Sequence, residues 1–166
     1  MDSTEKYIKM CEKAVEIQKM WDFSEGDFYL HKFLDKNVEE ERFKWMVGNK
    51  LITVLCDSCN VKDSYGDCYI GEYTPKDENV WLPRQDQLQE IYRKFVEDEL
   101  GQAEPDTKLA FLNFVDWMHE QYIEESFTCV PTNNFSSGEQ LWLAFVMQEC
   151  YEKKWNGEDW VTASEL

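Results

Sequence analysis

The chain has 166 residues, of which 43% are hydrophobic and 15% aromatic, so it has enough apolar material for a packed interior and is not disordered throughout. It carries 17 Lys and Arg against 34 Asp and Glu, a formal net charge of -17 at pH 7, and nucleic-acid phosphates and anionic membrane surfaces are expected to repel it. No run of about 18 apolar residues predicts a transmembrane helix. The opening Met1–Glu5 lacks the basic and apolar segments of a signal peptide, and this predicts a cytoplasmic protein with reduced cysteines.

The first segment has the pattern of an amphipathic helix. Apolar residues recur at three- and four-residue steps from Tyr7 to Trp21, with lysines and glutamates between them. Asp2, with Glu5 three residues later, predicts a capping box at its start. Turn residues at 25–27 end the helical pattern.

Residues 28–82 are predicted to form a small antiparallel sheet. Stretches rich in β-branched and aromatic residues are candidate strands at 28–34, 43–47, 51–55, 68–73 and 80–82. The segments between them hold Asp, Asn, Ser, Gly and Pro, which favour turns. The pattern fits a barrel-like sheet as well as a flat meander, and the stretch from 39 to 47 also fits the start of a short helix.

The helical period returns after the sheet and continues through 86–155, where three helices are predicted. Asp86, with Gln89 three residues later, is the expected N-cap of the first of them. The third is expected to begin at Ser136 or Ser137, since each has a Glu or Gln three residues further on.

The segregation of strand and helix signals predicts the α+β class, with an N-terminal helix, a small antiparallel sheet and three C-terminal helices. One domain over residues 1–166 is expected, because the sheet region at 28–82 is too small to bury its own faces. Asn156-Gly157 predicts a turn, after which Trp160-Val161 packs back or adds a short strand.

Several stretches follow one another in a characteristic order. They are VWLPRQDQLQE (80–90), SGEQLWLAFVM (137–147) and YEKKWNGEDWV (151–161), preceded by the opening helix with Gly26-Asp27-Phe28. Together they resemble a group of small uncharacterised proteins encoded by phages and prophages of Gram-positive bacteria. The resemblance implies a phage accessory protein, carries no established activity and assigns no catalytic residue.

Cys56 and Cys59 form a Cys-x-x-Cys pair, and Cys68 is the nearest further thiol; this segment has no counterpart in the phage group. A two-residue spacer lets both sulfurs reach one zinc ion or form a redox disulfide. A structural zinc needs four ligands, and Cys129 or a histidine would complete the set. Ordinary loop and strand-end cysteines explain the spacing more simply, so a zinc-binding module or small enzyme is the alternative interpretation.

Asp116 and His119 fall on one helix face, where a carboxylate can orient an imidazole for base or metal chemistry. A solvated surface pair explains the same spacing more simply. The sequence contains no phosphate-binding glycine loop and no Gly-x-Ser-x-Gly turn. It therefore favours a protein that is not an enzyme and needs no cofactor.

Negative charge is concentrated in the second half of the chain. Residues 86–166 hold 5 basic and 17 acidic side chains, a net charge of -12. Carboxylates spaced along paired helices can imitate a phosphate backbone and fit a basic channel on another protein, although a solvated face that keeps the domain soluble explains them too. The predicted acidic face comprises Glu97, Asp98, Glu99, Glu120, Glu124 and Glu125.

These observations predict a non-enzymatic interaction protein that acts on a host protein, one that normally handles nucleic acid, without binding nucleic acid or membranes itself. A homodimer is also open, because some of the seven tryptophans are available for a subunit interface.

Overall fold

The computed structural model describes residues 1–22, 24, 26–31, 52–54, 79–100, 107–128 and 135–162. Its helices are α1 (Glu5–Lys13), α2 (Val15–Met20), α3 (Gln85–Leu100), α4 (Thr107–Thr128) and α5 (Gly138–Tyr151). Its strands are β1 (Phe28–His31), β2 (Ile52–Val54), β3 (Asn79–Leu82), β4 (Lys153–Trp155) and β5 (Trp160–Thr162). The predicted α+β class is confirmed, and the candidate strands at 43–47 and 68–73 lie outside the described residues.

The chain divides into two compact units. The N-terminal unit comprises Asp2–Pro83, and the helical unit comprises Arg84–Leu166 together with Met1. The expectation of one domain over residues 1–166 stays a prediction.

The N-terminal helical segment is two helices rather than the single one predicted. The chain leaves the helical conformation at Ala14, with ψ at 69°. Thr4 is the N-cap of α1, because its hydroxyl accepts a hydrogen bond from the Tyr7 N–H. The predicted capping box from Asp2 is therefore wrong: the Asp2 carboxylate instead accepts a hydrogen bond from the Thr4 N–H at 2.8 Å and orients the capping residue.

The three strands described in the N-terminal unit form an antiparallel sheet with β1 between β2 and β3, and these three strands do not close into a barrel. The side chain of Gln18 satisfies the backbone of β3 on the side away from β1. Its Oε1 accepts from the Trp81 N–H at 2.8 Å, and its Nε2 donates to the Trp81 carbonyl at 3.0 Å. The Trp21 ring stacks on Trp81 with centroids 6.2 Å apart, and the Trp21 Nε1 donates to buried Asp27. This pairing fastens α2 to the sheet.

The first helix of the helical unit begins two residues earlier than the Asp86 cap predicted. α3 starts at Gln85, so Asp86 lies inside the first turn and is not the N-cap. The side-chain oxygen of Gln87 accepts from the Arg84 N–H at 2.9 Å, and the Arg84 guanidinium pairs with the Asp86 carboxylate at 3.0 Å.

The N-terminus of α5 is one of the two starts that the sequence allowed. The Ser137 hydroxyl accepts from the Gln140 N–H, and the Gln140 Oε1 accepts from the Ser136 N–H. Residues 142–147 of α5 are all buried. α3 and α5 run in the same direction, since Gln85 lies against Gly138 and Tyr92, seven residues on, packs against Phe145, seven residues beyond Gly138.

A hairpin follows α5, as the Asn156-Gly157 turn signal predicted. The Asn156 carboxamide oxygen accepts from the N–H groups of Glu158 and Asp159, both at 2.9 Å, and Gly157 has φ at 104°. β4 and β5 then pair antiparallel, which brings the rings of Trp155 and Trp160 to 5.1 Å.

Replacing Gln18 by Ala is expected to lower the free energy of unfolding by about 1–3 kcal/mol, because the Trp81 N–H and carbonyl lose their partners in a half-buried setting. Urea denaturation followed by tryptophan fluorescence measures the change. Lys19→Ala is the matched control, since Lys19 is exposed on the same helix, and its effect should be much smaller. Equal losses from both substitutions would show that the hydrogen bonds from Gln18 to Trp81 do not stabilise the fold.

Glu152 ends α5 in the left-handed region, at φ 56° and ψ 33°, where a β-carbon is unfavourable. Glu152→Gly should therefore be more stable than Glu152→Gln by about 1 kcal/mol. Both variants remove the same charge, so their difference in thermal or urea unfolding isolates the backbone effect. A glutamine variant at least as stable as the glycine variant would contradict it.

Candidate interaction surface

α4 has a buried side and an outer side. The buried side is formed by Ala110, Phe114 and Trp117, which recur at helical spacing. On the outer side, four large apolar side chains are between 39% and 50% exposed, and we call them the α4 strip: Leu109, Phe111, Leu112 and Val115. Isolated exposed apolar residues are ordinary, but four within two helical turns are typical of a contact surface.

Aromatic contacts with α5 fix which side of α4 is buried. Phe114 stacks on Trp142 with centroids 4.2 Å apart, and Trp117 meets Phe145 edge to face at 5.6 Å. Because a helix turns by about 100° per residue, anchoring positions 110, 114 and 117 leaves positions 108, 112, 115 and 119 facing away. At the edge of the strip, Phe111 also contacts the Trp142 ring at 5.5 Å.

Charged and polar side chains interrupt the α4 strip. Lys108, Asp116, His119 and Glu120 are all exposed on α4. Asp116 and His119, the sequence candidates for a carboxylate–imidazole site, therefore lie on the solvent-facing side. Within the ranges that the structure describes, no three His, Cys, Asp or Glu side chains are grouped so that they could hold a metal ion.

The six residues of the predicted acidic face lie on two helices. Glu97 and Asp98 are exposed on α3, and Glu120 is exposed on α4. Glu99 belongs to α3, and Glu124 and Glu125 belong to α4, with side chains outside the described set. Their action as one face stays a prediction.

A carboxylate that the sequence prediction did not include interacts electrostatically with Glu120. Glu149 of α5 is exposed, but the protein around it removes part of its hydration, and this desolvation, followed by the Glu120 charge, raises its pKa above the usual glutamate value. The two carboxylates, which we call the α4–α5 acidic pair, come from helices separated in sequence by a loop. Sequence spacing gives no sign of such a pair, because it depends on how α4 packs against α5.

Two neighbouring groups, the Tyr92 hydroxyl and the Cys150 thiol, share this environment. The Tyr92 hydroxyl accepts a hydrogen bond from the Asn113 side chain at 2.9 Å, while burial raises the pKa of Tyr92. Burial, and then the charge of Glu149, raise the pKa of the Cys150 thiol to about 12. In the N-terminal unit, burial likewise raises the pKa of the Cys11 thiol. Both thiols are therefore protonated at neutral pH, as expected of cysteines in apolar helix faces.

The three candidate zinc ligands, Cys56, Cys59 and Cys68, lie outside the described residues, so the zinc alternative stays a prediction. Within the described part of the chain, no helix combines the length and apolar composition needed to cross a lipid bilayer. The chain matches no protein-family model, no curated protein and no solved structure. The resemblance to phage and prophage proteins therefore stays a prediction.

Glu149→Gln is expected to stabilise the protein at neutral pH. A raised pKa means that the folded state binds the Glu149 proton more tightly than the unfolded state, so stability falls as pH rises above the ordinary glutamate value. Because the side chain is partly exposed, the gain at pH 7 should be roughly 0.5 kcal/mol, and it should vanish below about pH 4. Urea denaturation at pH 7 and pH 3.5 measures it; an equal gain at both values would mean that the charge is not the cause.

A double-mutant cycle tests whether Glu120 is the residue that repels Glu149. Glu120→Gln should recover part of the same gain, and adding Glu149→Gln should then give less than the sum of the two single effects. Strict additivity would show that Glu120 and Glu149 do not interact.

Proposed function

We propose that this protein is a non-enzymatic accessory protein of phage or prophage origin that binds a basic host protein through carboxylates of its helical unit. The proposed host partner is a protein that normally handles nucleic acid, because its basic channel accepts arrays of negative charge. Cations on such a partner would contact Glu120 and Glu149, with Glu97 and Asp98 contributing from α3.

The observation that carries the proposal is the α4–α5 acidic pair. Desolvation, and then the charge of Glu120, raise the pKa of Glu149, so keeping this carboxylate ionised opposes folding; no Lys or Arg lies between Lys108 and Lys153 in the sequence. An Arg or Lys from a partner would reverse the sign of this interaction, so binding would recover free energy that folding gives up. The net charge of -12 over residues 86–166 would add long-range attraction for a basic partner.

The experiment uses the immobilised protein and a lysate of a Gram-positive host, with the captured proteins quantified by mass spectrometry at 50 and 300 mM NaCl. Wild type should retain a nucleic-acid-handling protein at low salt and lose most of it at high salt, because ionic screening shortens the range of the attraction. Glu120→Gln with Glu149→Gln should reduce the capture at least about threefold, because it removes two exposed ion pairs that contribute roughly 0.2–1 kcal/mol each.

The matched control is Glu12→Gln with Asp22→Asn. Both residues are exposed in the N-terminal unit, and the pair of substitutions changes the net charge by the same two units. Purified partner should then lose affinity for DNA when wild-type protein is added, and the acidic-pair variant should inhibit less. If the control variant lost the partner as fully as the acidic-pair variant, net charge rather than this site would explain binding; if neither lost it, the proposed surface would be wrong.

A further inference from the structure

The side of α4 opposite the α4 strip is packed against α5. The spacing of residues within the strip allows it to pack against the same helix of a second copy. The described tryptophans offer no such surface, because each is less than 10% exposed: Trp21, Trp81, Trp117, Trp142, Trp155 and Trp160. If the described residues form a subunit interface, that interface must therefore use side chains other than these tryptophans.

The outer side of α4 is arranged symmetrically about Leu112. Leu109 lies three residues before Leu112 and Val115 three residues after it, while Lys108 and Asp116 lie four residues before and after it. When two copies of such a helix pack antiparallel across a two-fold axis, positions equally far from the central residue face each other. Leu112 then meets Leu112, Leu109 meets Val115, and Lys108 meets Asp116, the last two contacts each occurring twice.

We propose that the α4 strip is a homodimer interface in which two copies of α4 pack antiparallel around Leu112. The charges select this orientation: a parallel pairing would place Lys108 against Lys108 and Asp116 against Asp116, which is repulsive. In the antiparallel pairing, the opposite charges lie about 6 Å along the helix axis on either side of Leu112 and enclose the apolar contact.

The size of the strip and the charge of the chain set the strength of the dimer. Four half-exposed side chains and their flanking charges bury less than the roughly 800 Å² per partner of a standard interface, so dissociation on the order of micromolar or weaker is expected. Two chains that each carry a net charge of -17 also repel one another at low ionic strength. Association should therefore strengthen as NaCl rises from 50 to 300 mM, which is the opposite of the salt dependence expected for the host partner.

Sedimentation equilibrium of the full chain between about 5 and 500 µM measures the dimer. Leu112→Asp places two carboxylates on the two-fold axis and removes the central apolar contact, so it should weaken association at least about tenfold. Far-UV circular dichroism checks that the exposed substitution leaves the helices folded. A wild type that stays monomeric over this range, or a dimer that Leu112→Asp leaves intact, would overturn the proposal.

Charge exchange tests the register. Lys108→Glu and Asp116→Lys should each weaken the dimer, because each places like charges opposite one another, and the double variant should restore it at the wild-type net charge. Glu97→Lys is the control, since it makes the same charge change as Asp116→Lys on exposed α3 and should not weaken association. Failure of the double variant to recover what the single variants lose would overturn the antiparallel pairing.

The dimer and the host interaction can fail separately. Leu112→Asp should retain the captured host protein, since it leaves Glu120 and Glu149 in place. Loss of self-association with retained capture supports a dimer interface distinct from the acidic pair, whereas loss of both would contradict this separation.

Discussion

The helical unit depends on the burial of six consecutive side chains of α5, Trp142–Met147. Because a helix completes a turn in 3.6 residues, a run of six covers every side and requires neighbours all around it. α3 supplies Tyr92 against Phe145, and α4 supplies Phe114 against Trp142. The Ser137 cap fixes the residue at which α5 begins. This local hydrogen bond therefore also determines which rings of α3 and α4 contact Trp142 and Phe145.

The same constraint explains only one of the two apolar sides of α4. Its inner side is committed to α5 through Phe114 and Trp117, whose rings also contact each other at 6.0 Å. Covering α5 does not require Leu112 or Val115, and both remain about half exposed. Packing within the described part of the helical unit therefore gives no reason for apolar residues at these two positions, whereas contact with another protein surface does.

Two features formed between neighbours in sequence were predictable, the Ser137 cap and the Asn156 turn, which satisfy backbone groups two to four residues away. The same kind of local signal was wrong at Asp2 and Asp86, so residue types alone do not decide which residue caps a helix. The break at Ala14 was not predictable, because alanine favours helix and the competing contacts are distant: Gln18 bonds to the Cys11 carbonyl at 3.0 Å and to β3. The convergence of Glu120 and Glu149 was hidden for the same reason, since it arises only when two helices pack.

The α4 strip shows a further limit of reading faces from sequence. A helix with apolar residues at almost every angle gives no period that separates its buried side from an exposed one. In this protein the ring contacts of Phe114 and Trp117 with α5 identify the buried side of α4. The α4 strip lies on the other side, next to Asp116 and Glu120. An apolar surface bordered by acids on a chain of net charge -17 cannot associate indiscriminately, because most acidic proteins are repelled before contact. A basic partner would avoid this repulsion, and the proposed pairing of Lys108 with Asp116 would offset part of it between two copies, so charge restricts which surfaces the strip can meet.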